Sequence, residues 1–216
     1  MKRVFGTVEA IFDIFYLALA LALAVILIST ASGNYARYLA GVMALILAGG
    51  DAFHLVPRIM VIRSGREEKL RGALGTGKQI ASITMTLFYN ILWQIGVIVF
   101  SPQNISGWTN VVYALSAVRI FICLMPQNKW RERYAPLEWS IARNIPFFIQ
   151  CAIVAWLYFM NKSSAQGLAF MWLAISLSFA FYTPVTIWSN KYPKIGMLML
   201  PKTIAYLWML FMCTTL

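Results

Sequence analysis

Charge is what this sequence has least of. Only 12% of its 216 residues are charged and only 7 are acidic. A soluble domain carries about 25% charged residues, so a water-facing globule is excluded. A disordered chain is excluded too, because disorder goes with high charge and little apolar surface. Histidine occurs once, at His54, which gives a metal site no cluster to build on. Cysteine occurs three times, at Cys123, Cys151 and Cys213. Each lies inside an apolar block with no pairing pattern, so the three read as small core residues and a disulfide scaffold is excluded. What the chain has in abundance is apolar surface: 61% hydrophobic residues and a mean hydropathy of +0.72. The apolar residues come in blocks that reach the roughly 20 residues a helix needs to cross a bilayer. The reading is an all-α, polytopic membrane protein.

Seven spans can be counted, at about 8–31, 36–61, 79–101, 108–126, 139–160, 166–188 and 195–215. Short connections join them, so residues 1–216 form a single transmembrane helical domain. The Ala-Leu alternation from Leu17 to Ala24 reads as a smooth, tightly packing helix surface. After Lys2-Arg3 the first apolar run is too long for a signal peptide and has no small-residue cleavage site. The net charge of +11 needs no nucleic acid, because the cations sort by membrane side. Thirteen fall on one side: Lys2, Arg3, Arg58, Arg63, Arg66, Lys69, Arg71, Lys78, Lys129, Arg131, Arg133, Lys191 and Lys194. The opposite connections carry only Arg37 and Lys162. Positive-inside therefore predicts a cytoplasmic N-terminus and an outer C-terminus, in a plasma or inner membrane.

That topology argues against a retinal protein, despite Lys202 in the last of seven helices. Retinal proteins place the N-terminus outside, and helix 7 offers Lys202 no acidic partner. The informative residues are the ionisable groups at membrane depth, which are functional candidates by default. Glu9 and Asp13 lie in the first turns of helix 1; Asp51 and His54 lie in the inner half of helix 2. Arg119 is deep in inward-running helix 4, Arg143 and Asn144 are early in helix 5, and Lys202 is early in helix 7. Tyr182 and Thr183 end helix 6 at the same level. Residues from six helices thus converge on one predicted layer.

Within helix 2, Asp51, His54 and Arg58 share a face at spacing i, i+3, i+7. Gly49-Gly50 predicts close approach of a neighbouring helix, and Pro57 a kink below His54. Two readings of the layer stand. In one, Asp51 pairs with Lys202 or Arg119 and the charges neutralise one another. In the other, Arg119, Arg143 and Lys202 hold an anionic head group such as phosphate, and a carboxylic acid kept neutral by low dielectric donates a proton. Membrane lipids and an anionic lysolipid or small molecule are the partners this implies, and no cofactor is called for. Weaker signals have ordinary explanations. Gly72 to Lys78 mimics a phosphate loop but is followed by Gln79 and preceded by no strand. The stretch Arg63–Lys78 reads as a solvated loop. Asn104-Ile105-Ser106 and Asn161-Lys162-Ser163 are glycosylation sequons that matter only in a secretory host. Trp108, Trp130, Trp139, Trp156 and Trp188 read as interfacial anchors near span ends.

Gly50-Asp51-Ala52-Phe53 inside a membrane helix resembles the Gly-Asp element of the YhhN-like lysoplasmalogenase family. The resemblance continues in Thr86-Leu87-Phe88-Tyr89 of helix 3. It continues again in helix 6, where Phe179-Ala180-Phe181-Tyr182-Thr183-Pro184 runs on to Asn190-Lys191-Tyr192. That family is described with eight helices and carries a second functional Asp at the end of helix 6, usually after Ser. This sequence has seven spans and Thr183-Pro184 at that place. The resemblance implies hydrolysis of the vinyl-ether bond of lysoplasmalogens. Asp51 would be the matched carboxylate, Asp13 or Glu9 the replacement for the missing partner, and Arg119, Arg143 and Lys202 the phosphate holders. His54, Asn144, Tyr182 and Thr183 would complete the substrate site.

Overall fold

The computed structural model describes residues 2–132, 134–189 and 191–216, with the side chains of all of these except 2–5 and 193. The side chains of Lys2 and Arg3, and residues Arg133 and Asn190, lie outside that set, although part of the sequence reading rests on them.

In a bilayer every backbone polar group must be satisfied within the chain, and the apolar blocks meet that demand as helices. The elements are α1 (Lys2–Ser29), α2 (Tyr35–Ser64), α3 (Glu67–Phe100), α4 (Ser106–Leu124), α5 (Leu137–Met160), α6 (Met171–Trp188) and α7 (Met199–Cys213). Three short 3-10 turns lie between them, and there is no strand among the described residues. Among the described residues, seven segments are long and apolar enough to cross a membrane, which makes this a multi-pass membrane protein. Consecutive helices pack side by side, α7 closes against α1 and α2, and α3 reaches across to α5. The side chains turned outward are large and apolar, such as Ile11, Phe15 and Val25 on α1.

The predicted spans match these helices except at one connection. Arg63–Lys78 is not a loop: α2 runs to Ser64 and α3 begins at Glu67. Gly65 ends α2 in the left-handed region at φ 68°, and its amide returns to the Val61 carbonyl. Glu67 and Glu68 then stand in the first turn of α3, where the helix dipole favours acidic groups. The Gly72–Lys78 segment is consequently helical and forms no phosphate loop. Pro57 lies inside α2, which continues through it.

Close helix contact depends on glycine, though not on both residues of the predicted pair. A methyl group at Gly50 would collide with the Thr84 side chain of α3, whereas one at Gly49 meets nothing within 4 Å. Below them, a Cβ at Gly77 would fall on the Phe53 carbonyl and the His54 Cα. At the end opposite the N-terminus the chain is laced by polar contacts. Asn34 caps α2 by accepting from the Arg37 amide, and its Nδ2 donates to the Leu216 carbonyl at 3.1 Å. Arg37 Nη1 donates to the Thr214 carbonyl at 2.7 Å. The core is aromatic: Phe88 meets Tyr89 and Tyr206 edge to face, and Tyr89 meets Phe147 in the same way.

Candidate functional site

Two groups of polar side chains meet between the helices, in the part of the bundle nearer the N-terminal end. The first is acidic and is built by α1 and α2. Tyr16, fully buried one helical turn beyond Asp13, donates its hydroxyl to Asp51 Oδ2 at 2.6 Å. Asp13 is 6% exposed, and its Oδ2 has no hydrogen-bond partner. Asp13 and Asp51 lie within electrostatic range of each other. Glu9, one turn earlier on the same face, is half-exposed and ion-paired with Arg58. Its carboxylate is thus engaged by Arg58, whereas Asp13 and Asp51 have no cation within 4 Å among the described residues. His54 on α2 keeps Nδ1 buried and unpartnered, with Lys78, Arg58 and Lys202 in electrostatic range.

The second group is cationic. Arg119 of α4 is 1% exposed, and its guanidinium carbon lies 3.2 Å from the centre of the Phe147 ring. Cys123 is within electrostatic range of it, but Nε and Nη1 are buried with no acceptor. Arg143 of α5 is held better. Nη1 donates to Asn128 Oδ1 at 2.9 Å, Nη2 donates to Ser140 Oγ at 3.0 Å, and the guanidinium stacks over Trp130 at 4.3 Å. Its Nε is buried without a partner. Lys202 of α7 is 9% exposed, and its ammonium lies 4.6 Å from the Tyr182 ring and 5.1 Å from the Tyr206 ring. Tyr182 of α6 donates to Asn144 Oδ1 at 3.2 Å and is in electrostatic range of all three cations. Lys202 is also in range of Asp51, which joins the two groups.

The pairing expected of Asp51 with Lys202 or Arg119 does not occur. Among the described residues, the ion pairs are Arg58–Glu9, Arg71–Glu68 and Lys129–Glu132, none of which includes a cation of the buried group. Three cations are thus buried with no carboxylate within 4 Å among the described residues. An unpaired buried ion costs several kcal/mol even after relaxation, and cation–π contacts return only about 2 kcal/mol each. Such an arrangement is suited to an anion that arrives from outside the chain, and the guanidinium geometry is suited to phosphate or carboxylate.

Thr183 stands apart from this group. It is exposed on α6, which continues five residues beyond it, and its hydroxyl is spent on the Phe179 carbonyl at 2.9 Å. It lines an outward-facing apolar groove between α5 and α6, together with Phe148 and Ala180. Trp130 is likewise not a simple interfacial anchor. Its ring covers Arg143 and its Nε1 donates to the Cys123 carbonyl at 3.0 Å, so it belongs to the site.

Sequence reasoning missed Tyr16, Asn128, Trp130 and Tyr206. Tyr16 was within reach, since Glu9, Asp13 and Tyr16 repeat the i, i+4, i+7 spacing of one helical face. Asn128 and Trp130 carry no signal of this kind, because their partner Arg143 is set by how the α4–α5 connection folds back. Among the described residues no group of three His, Cys, Asp or Glu side chains is placed to hold a metal. No protein family, curated protein or solved structure matches this chain.

Proposed function

We propose that this membrane protein binds the anionic head group of a lysolipid among Arg119, Arg143 and Lys202. We further propose that it hydrolyses the neighbouring ether or ester bond with Asp51 and Asp13, as a distant relative of the YhhN-like lysoplasmalogenases. The observation that carries the binding is fully buried Arg119, whose Nε and Nη1 have no acceptor in the chain. Its orientation follows the cation count, with the N-terminus cytoplasmic, the C-terminus outside and the site facing the cytoplasmic half.

For a vinyl ether the chemistry balances with two carboxyl groups. Asp13 gives a proton to the vinyl carbon and leaves an oxocarbenium ion. Asp51, oriented by the Tyr16 hydroxyl, takes a proton from water as its oxygen adds to that ion. The hemiacetal then collapses to an aldehyde and the freed glycerophosphate alcohol. Lys202, in range of both Asp51 and the cationic group, sets the bond to be broken beside the head group.

A binder or transporter of the same anion, without turnover, has one specific observation in its favour. Thr183-Pro184 stands where the family has its second Asp, and Thr183 faces outward. One experiment separates the two readings. The detergent-purified protein and an Asp51→Asn variant are incubated with mixed lysophospholipids and lysoplasmalogens and followed by mass spectrometry. Hydrolysis predicts loss of one lipid class with release of aldehyde or fatty acid, absent in the variant. An unchanged anionic lipid that co-purifies with both proteins, with no turnover in either, overturns the enzyme reading and leaves the binder.

A further inference from the structure

A second buried polar cluster lies between α3, α4 and α5, on the side of Arg119 that faces the end of the bundle carrying the C-terminus. Gln150 of α5 is 0% exposed, and its Nε2 donates to Asn90 Oδ1 at 3.0 Å and to the Thr86 carbonyl at 3.4 Å. The Thr86 carbonyl can only accept, which fixes the amide nitrogen toward it and turns Oε1 away. Oε1 is buried without a hydrogen-bond partner. Asn90 Oδ1 also accepts from Ser116 Oγ at 2.7 Å. A buried acceptor left open in this way is ordinarily met by water.

The cluster connects in two directions. Toward the C-terminal end, Asn90 lines a groove of about 330 Å³ together with Tyr35, Leu39, Ile91, Gln94 and Tyr113. Gln94 Nε2 donates to the Tyr113 hydroxyl there at 2.5 Å. Toward the N-terminal end, Ser116 stands one turn before Arg119 on α4. Gln150 stands one turn after Phe147, the ring that carries the Arg119 guanidinium. The orphaned nitrogens of Arg119 on α4 thus stand about one helical turn from the level of the orphaned oxygen of Gln150 on neighbouring α5.

We infer that water fills this line, giving the Arg119 site a second mouth toward the membrane face that carries the C-terminus. The lining chemistry fits water. Its polar groups are the amides of Asn90, Gln94 and Gln150 and the hydroxyls of Tyr113 and Ser116, set among apolar Leu39 and Ile91, with no charged side chain among them before Arg119. A water takes about 30 Å³ of liquid volume and needs two to four polar partners, so the groove has room for several. Irregular polarity at membrane depth is tolerated where it lines such a cavity. Only the function of the inner end rests on the proposed anion site. The passage itself does not depend on lipid turnover.

The test uses the full chain in proteoliposomes, with Cys123, Cys151 and Cys213 replaced by alanine. Single cysteines are introduced as Asn90→Cys, Ser116→Cys and Val118→Cys, the last at a 50% exposed position on the outer surface of the bundle. A sulfonate-bearing, membrane-impermeant methanethiosulfonate is added at the face carrying the C-terminus. The cysteine thiolate, which forms only in contact with water, attacks the sulfenyl sulfur of the reagent, forming a mixed disulfide and releasing methanesulfinate. A water-filled passage predicts labelling at positions 90 and 116 at least tenfold faster than at 118. It also predicts that Gln150→Leu slows labelling at 116 several-fold. Labelling at 116 as slow as at 118, or unaffected by Gln150→Leu, overturns the inference. Should the cysteine-free protein fail to fold, radiolytic footprinting of the unaltered chain decides the question. Oxygen uptake at buried Phe147 supports water beside it, and no uptake there contradicts it. Labelling reads the passage without lipid, so failure of the hydrolase reading would leave this result standing.

Discussion

At the scale of single residues, the two buried arginines ask for opposite responses to the same substitution. Arg143 has three neighbours that depend on it: Asn128, Ser140 and the Trp130 ring. Its replacement leaves the fully buried Asn128 amide oxygen unsatisfied, at a cost of about 1–3 kcal/mol, and uncovers the Trp130 ring. Arg143→Met therefore lowers the melting temperature of the purified protein. Arg119 has two buried nitrogens that no protein group meets. Arg119→Met removes an uncompensated buried charge, whose desolvation costs several kcal/mol, while keeping much of the side-chain volume. The expected result is a melting temperature equal to or above that of the native protein. A drop as large as that of Arg143→Met would mean that Arg119 is structural. The identities of these residues were legible in the sequence, because charge at membrane depth stands out from an apolar background. Their partners were not. Asp51 looked suited to an ion pair with Lys202 or Arg119, and it instead accepts from Tyr16, a residue that apolar periodicity treats as ordinary core.

At the scale of helices, the apolar windows located all seven because length and hydropathy are properties of local sequence. The start of α3 was hidden for a related reason. The charges from Arg63 to Lys78 suppress the hydropathy signal, although the same residues form helix readily and only Gly65 and Arg66 separate α2 from α3. Close approach, by contrast, depends on which face each glycine presents. Gly49 and Gly50 are neighbours in sequence, yet only Gly50 faces Thr84. Gly49→Ala is accordingly expected to be neutral or to stabilise by up to about 1 kcal/mol through helix propensity. Gly77→Ala places a methyl group on the backbone of Phe53 and His54, which cannot move aside as a side chain would. Overpacking of this kind costs about 1–3 kcal/mol or more, so Gly77→Ala should melt measurably lower. Comparing the thermal unfolding of the two variants checks the α2–α3 contact on which the position of Asp51 depends.

At the scale of the whole molecule, an odd number of helices puts the termini on opposite faces, and the contacts of Asn34 and Arg37 with the last residues tie the α1–α2 turn to the end of α7. Which face is cytoplasmic is a matter of charge, and the cation count predicts an inner N-terminus. A reporter enzyme active only outside the cytoplasm, fused to the C-terminus in a bacterial host, should be active, and the same reporter at the N-terminus silent. The reverse pattern would invert the orientation proposed for the site. The central claim concerns the buried cations, and native mass spectrometry of the purified protein beside Arg119→Met tests it most directly. An anionic site predicts a retained lysolipid, or uptake of added oleoyl lysophosphatidate, with at least a tenfold loss of affinity in the variant while its melting temperature does not fall. Equal binding by both proteins, or no binding by either, would contradict an anion site at Arg119.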